Sequence, residues 1–122
     1  MPRWICDQDR YALIIRDMES GNGVCTCAYC GEELVLGDST SPASCEIDHK
    51  NPRSKGGDLL SPKNLVCACR HCNGKKSDMD FSLWMASLQG RAASEERLRV
   101  RDDLSNDWGR FVSASKALGY RR

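Results

Sequence analysis

No stretch of the 122-residue sequence is apolar for long enough to be a signal peptide or a membrane span, and Met1-Pro2-Arg3-Trp4 leads straight into a charged segment. That absence argues against export and against a bilayer-crossing helix, and sets the expected location as cytoplasmic. Histidine is scarce, with two residues, and the net charge is only +1, so bulk charge alone points to no partner. There is no internal repeat longer than a short cysteine motif and no low-complexity tract. Cysteine is what the chain has in excess, with eight residues. In a reducing compartment these favour metal ligation over disulfides; a disulfide-bonded or redox protein is the competing reading. The length is that of one domain, so residues 1–122 are read as a single unit. A chain this short gains from a staple that holds a defined site.

Charge is unevenly distributed. Residues 1–49 carry three basic and nine acidic side chains, and 77–122 carry eight and seven. Residues 50–76 carry seven basic side chains (Lys50, Arg53, Lys55, Lys63, Arg70, Lys75, Lys76) against Asp58. A local excess of this kind suits a phosphate-binding surface, or else a solvated loop.

The hydrophobic periodicity predicts helical flanks at 7–20 and 80–120 around a loop-rich centre. Asp7 caps a first helix whose stripe is Tyr11, Ile14, Ile15 and Met18, closed by Gly21-Asn22-Gly23. Residues 32–36 and 45–48 are the candidate strands, with Asn51-Pro52 and Gly56-Gly57 as breakers. A short helix is expected from Cys69 or Arg70 to Lys76. Asp80 caps the next, carrying Phe81, Trp84, Met85 and Leu88 up to Gly90. Ser94 opens a charged helix with Leu98 and Leu104, and Trp108, Phe111 and Val112 mark a last one. The aromatic residues are expected to pack into the core, with a dimer contact as the other use. Arg97, Arg99 and Arg101 are read as a solvated face.

Two CxxC pairs, Cys27 with Cys30 and Cys69 with Cys72, stand about forty residues apart. Each two-residue spacer lets a tight turn aim both sulfurs at one tetrahedral Zn²⁺. A further cysteine precedes each pair by two positions, Cys25 and Cys67, and one ion takes only four of the six sulfurs. The CxxC pairs are assigned to structural zinc, leaving Cys6, Cys25, Cys45 and Cys67 as small buried hydrophobes.

Between the pairs, Asp48-His49 sits at a strand end beside a basic, glycine-containing loop, followed by Asn64-Leu65 and, after the second pair, by Asn73 and Lys76. His71, inside a cysteine pair, is read as structural. The run Asp48-His49, Pro52, Gly56-Gly57, Asn64-Leu65, Cys69-x-x-Cys72-Asn73 and Lys76 resembles the HNH endonuclease family in its cysteine-containing form. Asn73 stands where histidine is frequent, which makes this similar to the HNN variant. The match covers residues 27–76.

The resemblance implies an α+β fold with a ββα-metal (His-Me finger) core, a four-cysteine zinc ribbon-like staple, and helices on both flanks. It implies metal-dependent hydrolysis of phosphodiester bonds in DNA. His49 would be the general base, and Asp48 and Asn73 the ligands of one divalent cation, Mg²⁺ or Mn²⁺. Asn64 would brace the loop that orients His49. Adjacent strand residues point to opposite faces, so the strand must end or bend at Asp48-His49, and Asn51-Pro52 provides the break.

Lys50, Arg53, Lys55, Lys75 and Lys76 are the expected phosphate contacts, which give affinity without sequence information. No long recognition helix or arm is evident, so weak sequence preference on double-stranded DNA is expected, with one strand nicked per event. No membrane partner is expected, and the protein is a monomer or a homodimer. The alternative reading is a non-catalytic zinc-ribbon module that binds nucleic acid, which leaves Asp48, His49, Asn64 and Asn73 without a role.

Overall fold

A computed structural model describes residues 7–117. The predicted Asp7 cap, the buried role expected of Cys6 and residues 118–120 of the last predicted helix lie outside the described residues. The architecture is α+β: a two-stranded antiparallel sheet embedded among helices. Helix α1 spans Asp7–Ser20, strand β1 Cys45–His49, strand β2 Leu65–Cys69, and helices α2 to α5 span Arg70–Lys76, Phe81–Ser87, Arg91–Leu104 and Trp108–Ala117.

The sheet pairs Cys45 with Cys69 and His49 with Leu65. Of the two candidate strands, 45–48 forms, longer by His49. Residues 32–36 make only isolated bridges, Thr26 to Glu33 and Val35 to Ser44. Within 32–36 only Leu34 is buried, and one anchor does not hold a strand against the core. Strand β2 was not expected, because Leu65-Val66-Cys67-Ala68-Cys69 lacks the alternation of a half-buried strand. All five of its residues are buried, the condition under which alternation vanishes.

Helix α2 follows β2 without a linker. Cys69 caps it, its sulfur accepting the Cys72 N–H at 3.3 Å. Helix α3 starts as predicted, with Asp80 accepting from the Ser82 and Leu83 N–H groups. Helix α4 begins earlier than predicted. Ser94 is a buried residue of its first turn, and its hydroxyl donates to the Ala28 carbonyl at 2.9 Å.

The first helix has the predicted span but a different inner face. Ala12, Leu13, Arg16 and Asp17 are buried, whereas Tyr11 is 42% exposed and Ile14, Ile15 and Met18 are only half-buried. The cause is the outer edge of β2. Main-chain groups there need partners away from water, and charged side chains supply them. Asp17 accepts the Cys67 N–H at 2.8 Å, and Arg16 donates to the Leu65 carbonyl at 2.6 Å. Arg101 of α4 donates to the Cys67 and Thr26 carbonyls at 3.4 and 2.7 Å.

The same need corrects the reading of α4 as a solvated face. Arg101 is 1% exposed and pairs with Asp17 at 3.6 Å. Arg97 is half-buried and donates to the Ala28 and Tyr29 carbonyls at 3.1 and 2.9 Å. Only Arg99 behaves as predicted, exposed between Glu96 and Asp103. The aromatic residues pack inward: Trp84 and Phe111 are buried, and Trp84 meets Tyr29 edge-on at 5.4 Å.

Candidate active site and metal-ligand groups

Hydrogen bonding between 24–35 and β2 brings the first cysteine pair against the second. The Ala28 N–H donates to the Cys67 carbonyl at 3.0 Å. The sulfurs of Cys27, Cys30, Cys69 and Cys72 then lie within 4.8 Å of one another, close enough to hold a metal ion. Each pair also turns main-chain N–H groups onto its first sulfur. Tyr29 and Cys30 donate to Cys27 at 3.4 and 3.5 Å, and Cys72 to Cys69. Burial raises the Cys27 thiol, but the donated N–H groups outweigh it and leave the sulfur more acidic than an ordinary cysteine.

Gly31 closes the first turn at φ 79°, and a Cβ there would come within 2.9 Å of the Arg97 guanidinium. A larger residue would therefore strain the turn and displace Arg97. All the described cysteines are free thiols. Cys25, Cys45 and Cys67, expected only as packing residues, gather into a second group whose sulfurs also lie within 4.8 Å of one another.

Asp48, His49 and Asn73 meet at the other end of the sheet. Strand β1 stops at His49, and all three line an open cavity of about 620 Å³ together with Pro52, Arg53 and Asp78. The His49 Nε2 lies 3.0 Å from the Leu59 carbonyl. A carbonyl can only accept, so Nε2 carries a proton in this contact.

Asp48 is buried, with Tyr29 donating to Oδ2 at 2.5 Å and the Lys76 ammonium 3.3 Å from the same oxygen. Burial pushes the Asp48 carboxyl above its ordinary value, and the Lys76 charge and Tyr29 bond only partly offset this. Burial, then the facing Asp48 charge, hold Tyr29 well above the usual phenol range, so its proton stays on oxygen. Asn73 donates its amide N–H to Glu46 at 2.7 Å, which leaves Oδ1 as its ligand atom.

Asn64 lies behind this cavity rather than in it. Its amide donates to the Asp58 and Asn51 carbonyls at 2.7 and 3.1 Å, and its oxygen accepts the Asn51 N–H at 2.9 Å. One side chain thereby closes the loop between β1 and β2 across thirteen residues. Gly57 sits so near the Asn51 carbonyl that a Cβ would lie 1.7 Å from its oxygen, so the loop folds this tightly only with glycine there.

The five predicted phosphate contacts do not share one surface. Arg53 borders the cavity, while Lys55 lies with Lys50 and Lys63 along a neighbouring groove. Lys50 is half-buried over Phe81, with its nitrogen 6.0 Å from the ring centre. Burial lowers its ammonium below the usual lysine range. Lys75 is exposed beside Cys30 and Cys72. Lys76 does not stand on the surface at all. It is 0% exposed and donates to the His49 carbonyl at 2.8 Å as well as facing Asp48. A fully buried ammonium cannot meet a phosphate, and its work here is to neutralise a carboxylate.

Tyr29, Asp78 and the internal role of Lys76 were not read from sequence. Tyr29 reaches Asp48 only because the first cysteine turn docks on β2, a contact between residues nineteen apart. Nothing in local spacing signals it.

Residues 27–79 match the family model described as HNH endonuclease. The chain is 34% identical over 98 residues to the CRISPR-associated endonuclease Cas9 of Corynebacterium diphtheriae, covering 74% of this chain and 8% of that protein. It is 37% identical over 60 residues to the CRISPR-associated endonuclease Cas9 of Actinomyces naeslundii, covering 49% of this chain and 5% of that protein. No solved structure matches. The chain thus spans less than a tenth of either relative's length. Residues 27–79 thus carry the match to an HNH endonuclease domain.

Proposed function

We propose that this chain is a metal-dependent endonuclease that hydrolyses phosphodiester bonds in DNA with weak sequence preference, nicking one strand per event. The observation that carries the reading is the meeting of Asp48, His49 and Asn73 on one open cavity bordered by Arg53. The elements around it, β1, β2 and the directly following α2, are the parts of a ββα-metal core. Residues 1–122 act as one unit in this reading.

His49 is the general base. Its Nε2–H is committed to the Leu59 carbonyl, so Nδ1 is the atom that accepts a proton from the attacking water. Asn64 is a positioning residue that fixes the loop carrying Leu59. Arg53 attracts and orients the phosphate.

The donor atoms suit a hard divalent cation, since Asp48 and Asn73 both offer oxygen. A carboxylate has about four acceptor positions, and Tyr29 and Lys76 occupy part of that set, so Asp48 suits a ligand bound through one oxygen. Mg²⁺ or Mn²⁺ held there would supply charge stabilisation at the phosphate and at the leaving oxygen. The four-cysteine group suits Zn²⁺, because tetrahedral thiolate sets select it. Its task is structural, for it joins the 27–30 turn to the start of α2.

Supercoiled plasmid, incubated with parent and with His49→Ala, first in EDTA and then in added Mg²⁺ or Mn²⁺, tests the proposal. Metal-dependent relaxation by the parent alone is the expected result. A parent that binds DNA but never cuts it under either metal sinks the nuclease reading in favour of a binding module. The paired state of Asp48, with an ammonium already beside it, is the observation that would then take on weight.

A further inference from the structure

We infer that Cys25, Cys45 and Cys67 form a second thiolate metal site, separate from the four-cysteine group and suited to a zinc-class divalent cation. Their sulfurs lie within 4.8 Å of one another. Four thiolates around one zinc at about 2.3 Å leave sulfurs roughly 4 Å apart, so modest side-chain adjustment brings these three to one ion.

The three come from separate segments, and their meeting follows from the first site. Cys25 precedes Cys27 by two residues and Cys67 precedes Cys69 by two. In extended backbone, residues two apart face the same side. The contact that joins the two cysteine pairs therefore also sets Cys25 beside Cys67. Cys45 enters from β1, where its Cα is paired with that of Cys69.

Packing alone is a weaker account of this arrangement. Three sulfurs cannot be consumed by disulfides, since one must always be left over, and all three are free. Cys25 and Cys67 are buried and Cys45 is half-buried, so the site is closed on the inside and reachable from one direction. Thiolate donors select zinc and other soft or borderline ions over Mg²⁺.

A tetrahedral ion needs a fourth ligand. A water molecule completes the shell.

The test is a count of ions. The full chain, purified in zinc and passed through gel filtration, should carry two zinc ions, and one ion overturns the proposal. That measurement needs no variant. Cys45→Ser, chosen because Cys45 is the least buried of the three, should carry one ion and keep the parental circular dichroism. Cys30→Ser should also fall to one, and the double variant to none. A folded Cys45→Ser protein that still holds two ions is fatal to the assignment. With Co²⁺ in place of Zn²⁺, the sulfur-to-metal absorption of Cys45→Ser should fall by roughly half.

Discussion

Two carboxylates are buried among the described residues, Asp17 on α1 and Asp48 on β1, and they are held in opposite ways. Asp17 is fully enclosed, which alone would raise its carboxyl. Arg16, Arg101 and the Cys67 N–H more than offset that and leave it below the ordinary value. Asp48 has one ammonium and one phenol, and burial prevails, so its carboxyl stands above the ordinary value. Asp17 is 0% exposed, whereas Asp48 lines the cavity that holds His49 and Asn73. A charge saturated with partners closes a structure, and one left short of partners at a cavity wall can still bind something.

The comparison can be broken by substitution. The largest effect should be on cleavage at the Asp48 end. Asp48→Ala or His49→Ala should lower plasmid nicking by at least about a hundredfold, the low end of what a positioned base supplies. Far-UV circular dichroism of His49→Ala should stay that of the parent. Nicking at the parental rate by either variant would remove that residue from the chemistry.

At Asp17 the effect should appear in stability instead. Asp17→Asn strips the carboxylate from two buried guanidinium groups, and breaking such a set costs about 3–5 kcal/mol. Urea unfolding should show it as a lower midpoint. A midpoint within experimental error of the parent would mean that Arg16 and Arg101 are satisfied by carbonyls alone.

Tyr29→Phe should cost less. It deletes one hydrogen bond to a charged, buried oxygen, worth about 1.5–3 kcal/mol, and should lower the melting temperature without exposing the core. An unchanged melting temperature would show that Lys76 holds Asp48 unaided.

The smallest effect belongs to an exposed carboxylate. Arg110 of α5 donates to both Glu19 oxygens at 2.8 and 3.0 Å, and that bond, with the Arg110 charge, holds the Glu19 carboxyl below its ordinary 4.5. A depressed acid stabilises the fold above its unfolded value, and this contribution is lost as the pH falls through the folded value. Because the pair is open to solvent, Glu19→Gln should cost at most about 1 kcal/mol at neutral pH. The difference from the parent should shrink on acidification below that value. A gap that widens there would contradict the sign.

The cysteine pairs, the Asp48-His49 step and the asparagines at 64 and 73 were legible because each is a short motif with a local reason for its spacing. Helix α2 and the Asp80 cap of α3 were legible for the same reason, as a cap acts within one turn. Strand β2 was not, since a strand buried on both faces carries no alternation. Lys76 misled, because a lysine in a basic window is the same letter whether it meets solvent or a carboxylate 28 positions earlier.

The arginines of α4 show the division best. Arg97, Arg99 and Arg101 alternate along one charged helix, yet one is buried, one half-buried and one exposed. Their pattern recorded only that they were charged. Which of them turned inward depended on where unpaired carbonyls stood, at Thr26, Ala28, Tyr29 and Cys67. By itself the sequence pointed to the family, the cysteine pairs and the residues proposed for catalysis, because those follow from side-chain type at short spacing. Only the tertiary structure decided that Tyr29 and Lys76 hold Asp48, that charged side chains cover the edge of β2, and that three further cysteines meet. Those contacts join residues far apart in the chain, and the demand that every buried polar group find a partner selects them only once the chain has folded.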